Sequence, residues 1–135
     1  MEQTLYDRNG EAVAYIADDF HETVYLWDGS PVAYLYEEQY VYGINGRHLG
    51  WFINQFIYNH NGERVGFTSN TSPVPVAKES VKYERRSRDE IRSRWAAITM
   101  PKLDFHSADQ GLADFLKEGQ VEHYQEEKIS EEPEE

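Results

Sequence analysis

Along the first seventy residues the hydrophobic and polar positions repeat one phrase four times. YDRNGEAVAY begins at Tyr6, YLWDGSPVAY at Tyr25, YGINGRHLGW at Tyr42 and YNHNGERVGF at Tyr58. The four align without gaps as tyrosine, two variable residues, Asn or Asp, Gly, two more variable residues, Val or Leu, Ala or Gly, and an aromatic. Repetition at a near-constant interval marks a chain built from copies of one small unit. Within each copy the apolar positions alternate with period two, which predicts two short strands. The central Asn-Gly or Asp-Gly predicts a tight hairpin turn of type I′, with both central residues left-handed.

That turn sets an expected register. Tyr6 is predicted to face Val13, and Leu5 to face Ala14. The equivalents are Tyr25 with Val32, Tyr42 with Leu49 and Tyr58 with Val65. Because side chains alternate along a strand, each hairpin gains two faces. One holds the tyrosine, the Val or Leu, and the closing aromatic (Tyr15, Tyr34, Trp51 or Phe67). The other holds Leu5, Val24, Val41 or Ile57 beside Ala14, Ala33, Gly50 or Gly66, small residues that imply a crowded place. A single two-stranded hairpin is marginal in water, whereas four that are apolar on both faces shield one another. The expected fold is mainly β: eight short strands in a meander, four repeated hairpins closing into a pseudo-fourfold ring or barrel-like arrangement. Closure removes exposed edges.

The fourfold phrase, and stretches such as VYLWDGSPVAYL and VYGINGRHLGWF, resemble the 4-fold beta flower domain of uncharacterised bacterial proteins over about residues 4–68. The resemblance implies four β-hairpins around a pseudo-fourfold axis. It implies no reaction and brings no catalytic residues with it.

Beyond the repeats, Pro73 and Pro75 forbid helix and predict a linker or extended strap over 71–87. Ser87, with Glu90 three residues on, forms a capping box that predicts a helix over Arg88–Ile98. Ile91, Trp95 and Ile98 would share its buried face. Ser107 and Gln110 announce a second helix over Ala108–Glu118, with Gly119 as a left-handed cap and Leu112, Phe115 and Leu116 as its apolar stripe. The expected organisation is a repeat domain over 1–70, the strap, two short docked helices within 88–119, and a disordered acidic tail over 120–135.

The net charge of −12 argues against nucleic acid or an anionic membrane as partner. Residues 73–98 are nevertheless net positive between two acidic segments. This island reads as internally neutralised or as a solvated helix, with a basic docking face as the lesser reading. With no cysteine, disulfides, thiol chemistry and cysteine-ligated metals are excluded. No apolar run is long enough to span a bilayer, the first residues do not read as a secretory signal, and a cytoplasmic protein is expected.

No catalytic signature is present, and neither catalytic residues, a metal nor a cofactor is expected. The five histidines show no i, i+4 pair of the kind that ligates zinc. The informative positions are those where the repeat departs from its own pattern. Before the Asn or Asp stand Arg8, Trp27, Ile44 and His60; two after the glycine stand Ala12, Pro31, His48 and Arg64. Trp27, Arg47, His48, His60 and Arg64 are therefore the candidate binding residues, against the plainer reading that they pack or line the rim. Two functions follow. One is a non-enzymatic protein-interaction or assembly module, binding an unidentified protein or a second copy. The other is a small-ligand binder, for an anion or even as a hydrolase, with a pocket at the mouth or centre of the ring.

Overall fold

The computed structural model describes residues 2–121; the expected disordered stretch of the acidic tail, from 122 on, lies outside the described residues. Each phrase supplies two antiparallel strands: β1 (Gln3–Tyr6) and β2 (Ala12–Ile16), β3 (Thr23–Leu26) and β4 (Pro31–Tyr36), β5 (Tyr40–Gly43) and β6 (His48–Ile53), β7 (Phe56–Tyr58) and β8 (Arg64–Phe67). They pair in chain order, and β8 returns to β1 through Tyr6 and Phe67, so the sheet is a closed eight-stranded barrel.

The phrase turns are not type I′. Asp7 N donates to the Glu11 carbonyl (3.0 Å) and Gly10 N to the Asp7 carbonyl (3.0 Å), and only the glycine is left-handed. These are three-residue loops in which Gly takes the αL position after a tight turn. The side chains of Asp7 and Asn59 each accept two loop amides, an economical way to fix such a turn. Pairs of left-handed residues do occur, at Glu37-Glu38 and Asn54-Gln55, in the connections from β4 to β5 and from β6 to β7.

The longer loop changes the register. Leu5 faces Ala14, as do Val24 and Ala33, Val41 and Gly50, and Ile57 and Gly66. The tyrosines, however, face Ala12, Pro31, His48 and Arg64, because a bulge intervenes in all four hairpins. A bulge sets two residues against one and re-aims the side chain between. Val32, Leu49 and Val65 therefore leave the tyrosine face and join the barrel core with Leu5, Val24, Val41 and Ile57. The tyrosines meet the closing aromatic of the preceding phrase instead: Tyr25 faces Tyr15, Tyr42 faces Tyr34, Tyr58 faces Trp51 and Tyr6 faces Phe67. Each border between hairpins is thus an aromatic seam.

The core is completed by one short helix, α1 (Leu112–Lys117). Leu112, Phe115 and Leu116 are buried in the same cluster as the barrel interior. This explains the small residues: a β-carbon on Gly66 would stand 2.9 Å from Leu112 Cδ1, and one on Gly50 would strike the Tyr58 carbonyl and approach the Phe115 ring. The expected helix over 108–118 is shortened because Ser107 does not cap it. Ser107 instead bridges to Arg64 in parallel, and Gly111 occupies the N-cap. Gly119 is not left-handed; it is small because it packs on Gly43 and the Val32 carbonyl.

The expected helix over 88–98 is absent. Residues 73–104 form no helix or strand and run along the turns as a strap. Ala77 N donates to Gly10 O (2.8 Å), Arg86 N to Gly29 O (2.9 Å), Trp95 N to Gly46 O (2.8 Å) and Asp104 N to Gly62 O (2.8 Å). Those donors stand nine residues apart, one to each turn. Tyr83 N to Trp27 O (3.1 Å) and Arg92 N to Ile44 O (2.9 Å) add a second bond at the middle two. A helix would turn these amides inward to its own carbonyls. The rim carbonyls need donors, and the strap meets that need only if it stays unwound.

Candidate binding site on the barrel rim

The strap lays its cations across the aromatic seams. Arg85 Nε donates to Tyr15 Oη (3.1 Å), with its guanidinium 5.0 Å from the Tyr25 ring. Nine residues on, Arg94 Nη1 donates to Tyr34 Oη (3.3 Å) and its guanidinium lies 3.8 Å from the Tyr36 ring. Lys82 and Arg85 also pair with Glu2. Three cations of the basic island are thus engaged by rings and a carboxylate of the same chain. Tyr6, at the border of the first and fourth hairpins, donates its hydroxyl to Glu79 (2.7 Å); burial, and then that carboxylate, push it up to about 12.

The five sequence candidates do not converge on one point. Trp27 packs edge-on to Tyr15 and donates Nε1 to Ser80 Oγ (3.1 Å), with Lys82 above its ring. Arg47 lies 5.7 Å from the Trp95 ring. His48 and His60 meet: Nδ1 of His48 is 3.0 Å from Nε2 of His60, with the rings 9° from parallel and their centroids 5.0 Å apart. That separation is what two rings joined edge to edge through one N–H···N bond require, rather than a face-to-face stack. His48 is buried among Tyr40, Tyr42 and Trp51, whereas His60 is exposed. Desolvation, and then His60, lower the His48 pKa to about 4.

Arg64 lies over the Phe56 ring at 3.7 Å, with Phe105 at 5.1 Å. Its neighbour across the seam is Arg8, whose Nη1 donates to the Ala108 carbonyl (2.8 Å). The two arginines line a recess of about 100 Å³ with Asp7, Asn9, Val65, Gln110 and Leu112. Arg8 was not among the sequence candidates, though it stands in the same aligned column as Trp27 and His60. At the barrel centre the side chains of α1 leave the interior filled.

The chain matches the 4-fold beta flower protein family over residues 3–116. The chain belongs to the 4-fold beta flower family. In this beta flower the match extends past the four phrases and takes in the strap and most of α1. No curated protein and no solved structure matches the beta flower chain. Among its described residues no helix is long and apolar enough to cross a membrane.

Proposed function

We propose that this beta flower is a non-enzymatic protein-interaction module whose contact surface is the strap. In this reading the four phrases are equivalent units about a pseudo-fourfold axis, each holding the strap at one turn. The supporting observation is where the exposed apolar side chains lie. Val81 is 88% exposed, Tyr83 70%, Trp95 61% and Phe105 84%, and Val74, Val76, Ile98 and Met100 are exposed beside them. Seven of the eight belong to the strap, and Phe105 directly follows it. Large apolar side chains held outward on an otherwise polar protein mark surfaces that meet other proteins. The strap backbone is pinned at intervals of nine residues, so its arcs present these side chains in a fixed order. The partner is another protein or a second copy of the chain.

The test places a photo-crosslinking residue at Tyr83 or Trp95 in the full-length protein, with Phe20, exposed but off the strap, as control. Discrete adducts from the two strap positions and none from Phe20 are expected. Equal yields from all three sites would defeat the proposal. The second reading, a small-ligand binder, retains the rim only, since α1 fills the centre; the recess between Arg8 and Arg64 is the observation in its favour.

A further inference from the structure

The aligned departures from the repeat meet in pairs across the seams. The residue two after glycine in one hairpin corresponds to the residue before Asn or Asp in the next. At the first seam these are Ala12 and Trp27, and at the second Pro31 and Ile44, where backbone bonds from Trp27 N to Val13 O and from Ile44 N to Val32 O join the adjoining chains. At the third they are His48 and His60, joined through Nδ1 and Nε2 at 3.0 Å. At the fourth they are Arg64 and Arg8, two permanent cations lining one recess.

Like charges at adjoining positions repel, and a sequence this acidic has carboxylates to spare for neutralising them. None is used. The ion pairs among the described residues involve Glu2 and Asp104, and neither reaches Arg8 or Arg64. Asp7 lines the recess, but its Oδ1 is engaged by the amides of Asn9 (2.9 Å) and Glu11 (3.0 Å). Arg64 Nε is buried without a hydrogen-bond partner among the described residues, a costly arrangement for a charged donor. Phe56 and Phe105 lie 3.7 Å and 5.1 Å from the guanidinium, no described residue accepts a hydrogen bond from it, and its N–H groups form the planar fork that matches an oxyanion.

We propose that the recess between the fourth and first hairpins binds a small oxyanion, of the phosphate or carboxylate type, through the guanidinium of Arg64 and the N–H groups of Arg8 other than the Nη1 hydrogen held by Ala108. Its volume suits an ion or a single anionic group and is well below that of pockets that enclose drug-sized ligands. The site lies off the exposed strap arcs and does not rest on the interaction proposed above.

The test is a nuclear magnetic resonance titration of the arginine Nε–H signals of the full-length protein, at constant ionic strength, with inorganic phosphate in one arm and acetate in the other. Saturable movement of the Arg64 signal is expected. Saturation by phosphate alone identifies a tetrahedral anion, and by acetate alone a planar carboxylate. In Arg8→Gln the midpoint is expected to weaken at least tenfold, and Arg64→Lys, which keeps charge but loses the fork, is expected to weaken similarly. Arg47→Gln, at a different ring, leaves the midpoint unchanged. A linear response to both anions, or equal midpoints in wild type, Arg8→Gln and Arg47→Gln, would overturn the site. The Arg8 variant keeps the test decisive if Arg64 substitutions unfold the barrel.

Discussion

His48 and His60, from neighbouring hairpins, meet edge to edge with Nδ1 and Nε2 3.0 Å apart, one ring buried and the other facing solvent. The bond needs one donor and one acceptor. It survives with both rings neutral or with one charged, and fails when both are charged.

Stability is therefore expected to fall with acidification through a definite window. In the unfolded chain His48 titrates near its ordinary value of 6.5, and in the folded protein at about 4. The unfolded state binds the proton more readily between those values, so stability is full above about pH 6.5 and is lost as pH falls toward 4. The loss is at most about 3 kcal/mol. Urea melts of wild type and His48→Gln at pH 7 and pH 4.5 check this: the variant should be less pH-sensitive. A wild-type loss no larger than the variant's would remove the case.

Gly46 has both a left-handed backbone, φ +93°, and the Ser93 carbonyl lying where a β-carbon would go. Gly46→Ala is expected to lose on the order of 2 kcal/mol, more than the usual cost of a left-handed alanine alone, because the strap must lift. Gly111→Ala, with open space around it and an extended backbone that alanine adopts, should change stability by less than about 1 kcal/mol, because the poorer N-cap is offset by the lower entropy of the unfolded chain. Chemical denaturation of both variants decides; equal effects would mean the strap yields freely.

Hydrogen exchange should read the strap's spacing directly. Amides of Ala77, Arg86, Trp95 and Asp104 are expected to exchange slowly, with Tyr83 and Arg92, among fast-exchanging neighbours. Contiguous protection over 88–98 would instead reveal a helix.

Leu116 is fully buried against the barrel interior. Leu116→Ala is expected to cost about 2–5 kcal/mol through the cavity it leaves. A calorimetric scan that finds less than about 1 kcal/mol would mean that α1 is not part of the core.

Much of the barrel was legible in residues 3–67 because its signals are local. Asn-Gly and Asp-Gly demand a reversal, alternation assigns faces, and Leu5 stays opposite Ala14 because the bulge at Val13 makes up for the residue by which the longer loop shifts the pairing. The tyrosine register was misread for a local reason too: a three-residue loop with one left-handed glycine and a two-residue loop with two share the same Asn-Gly text. Of the candidate site, the departing columns were visible, including the histidines that meet. Their partners across seams were not, since nothing in one hairpin states which residue of the next will lie beside it.

By itself, the sequence determined the reversals and strands of the barrel, because glycine conformations and period-two burial are properties of a few neighbouring residues. Tertiary structure decided the strap. Ser87, Glu90, Ile91 and Trp95 carry sound helix signals, yet Trp95 stands 61% exposed and its amide bonds to Gly46. The nine-residue spacing uses main-chain donors, which every residue but proline carries, so it leaves no mark on side-chain identity. Only the closed barrel, presenting one or two carbonyls at each turn, selects the extended path over the helix.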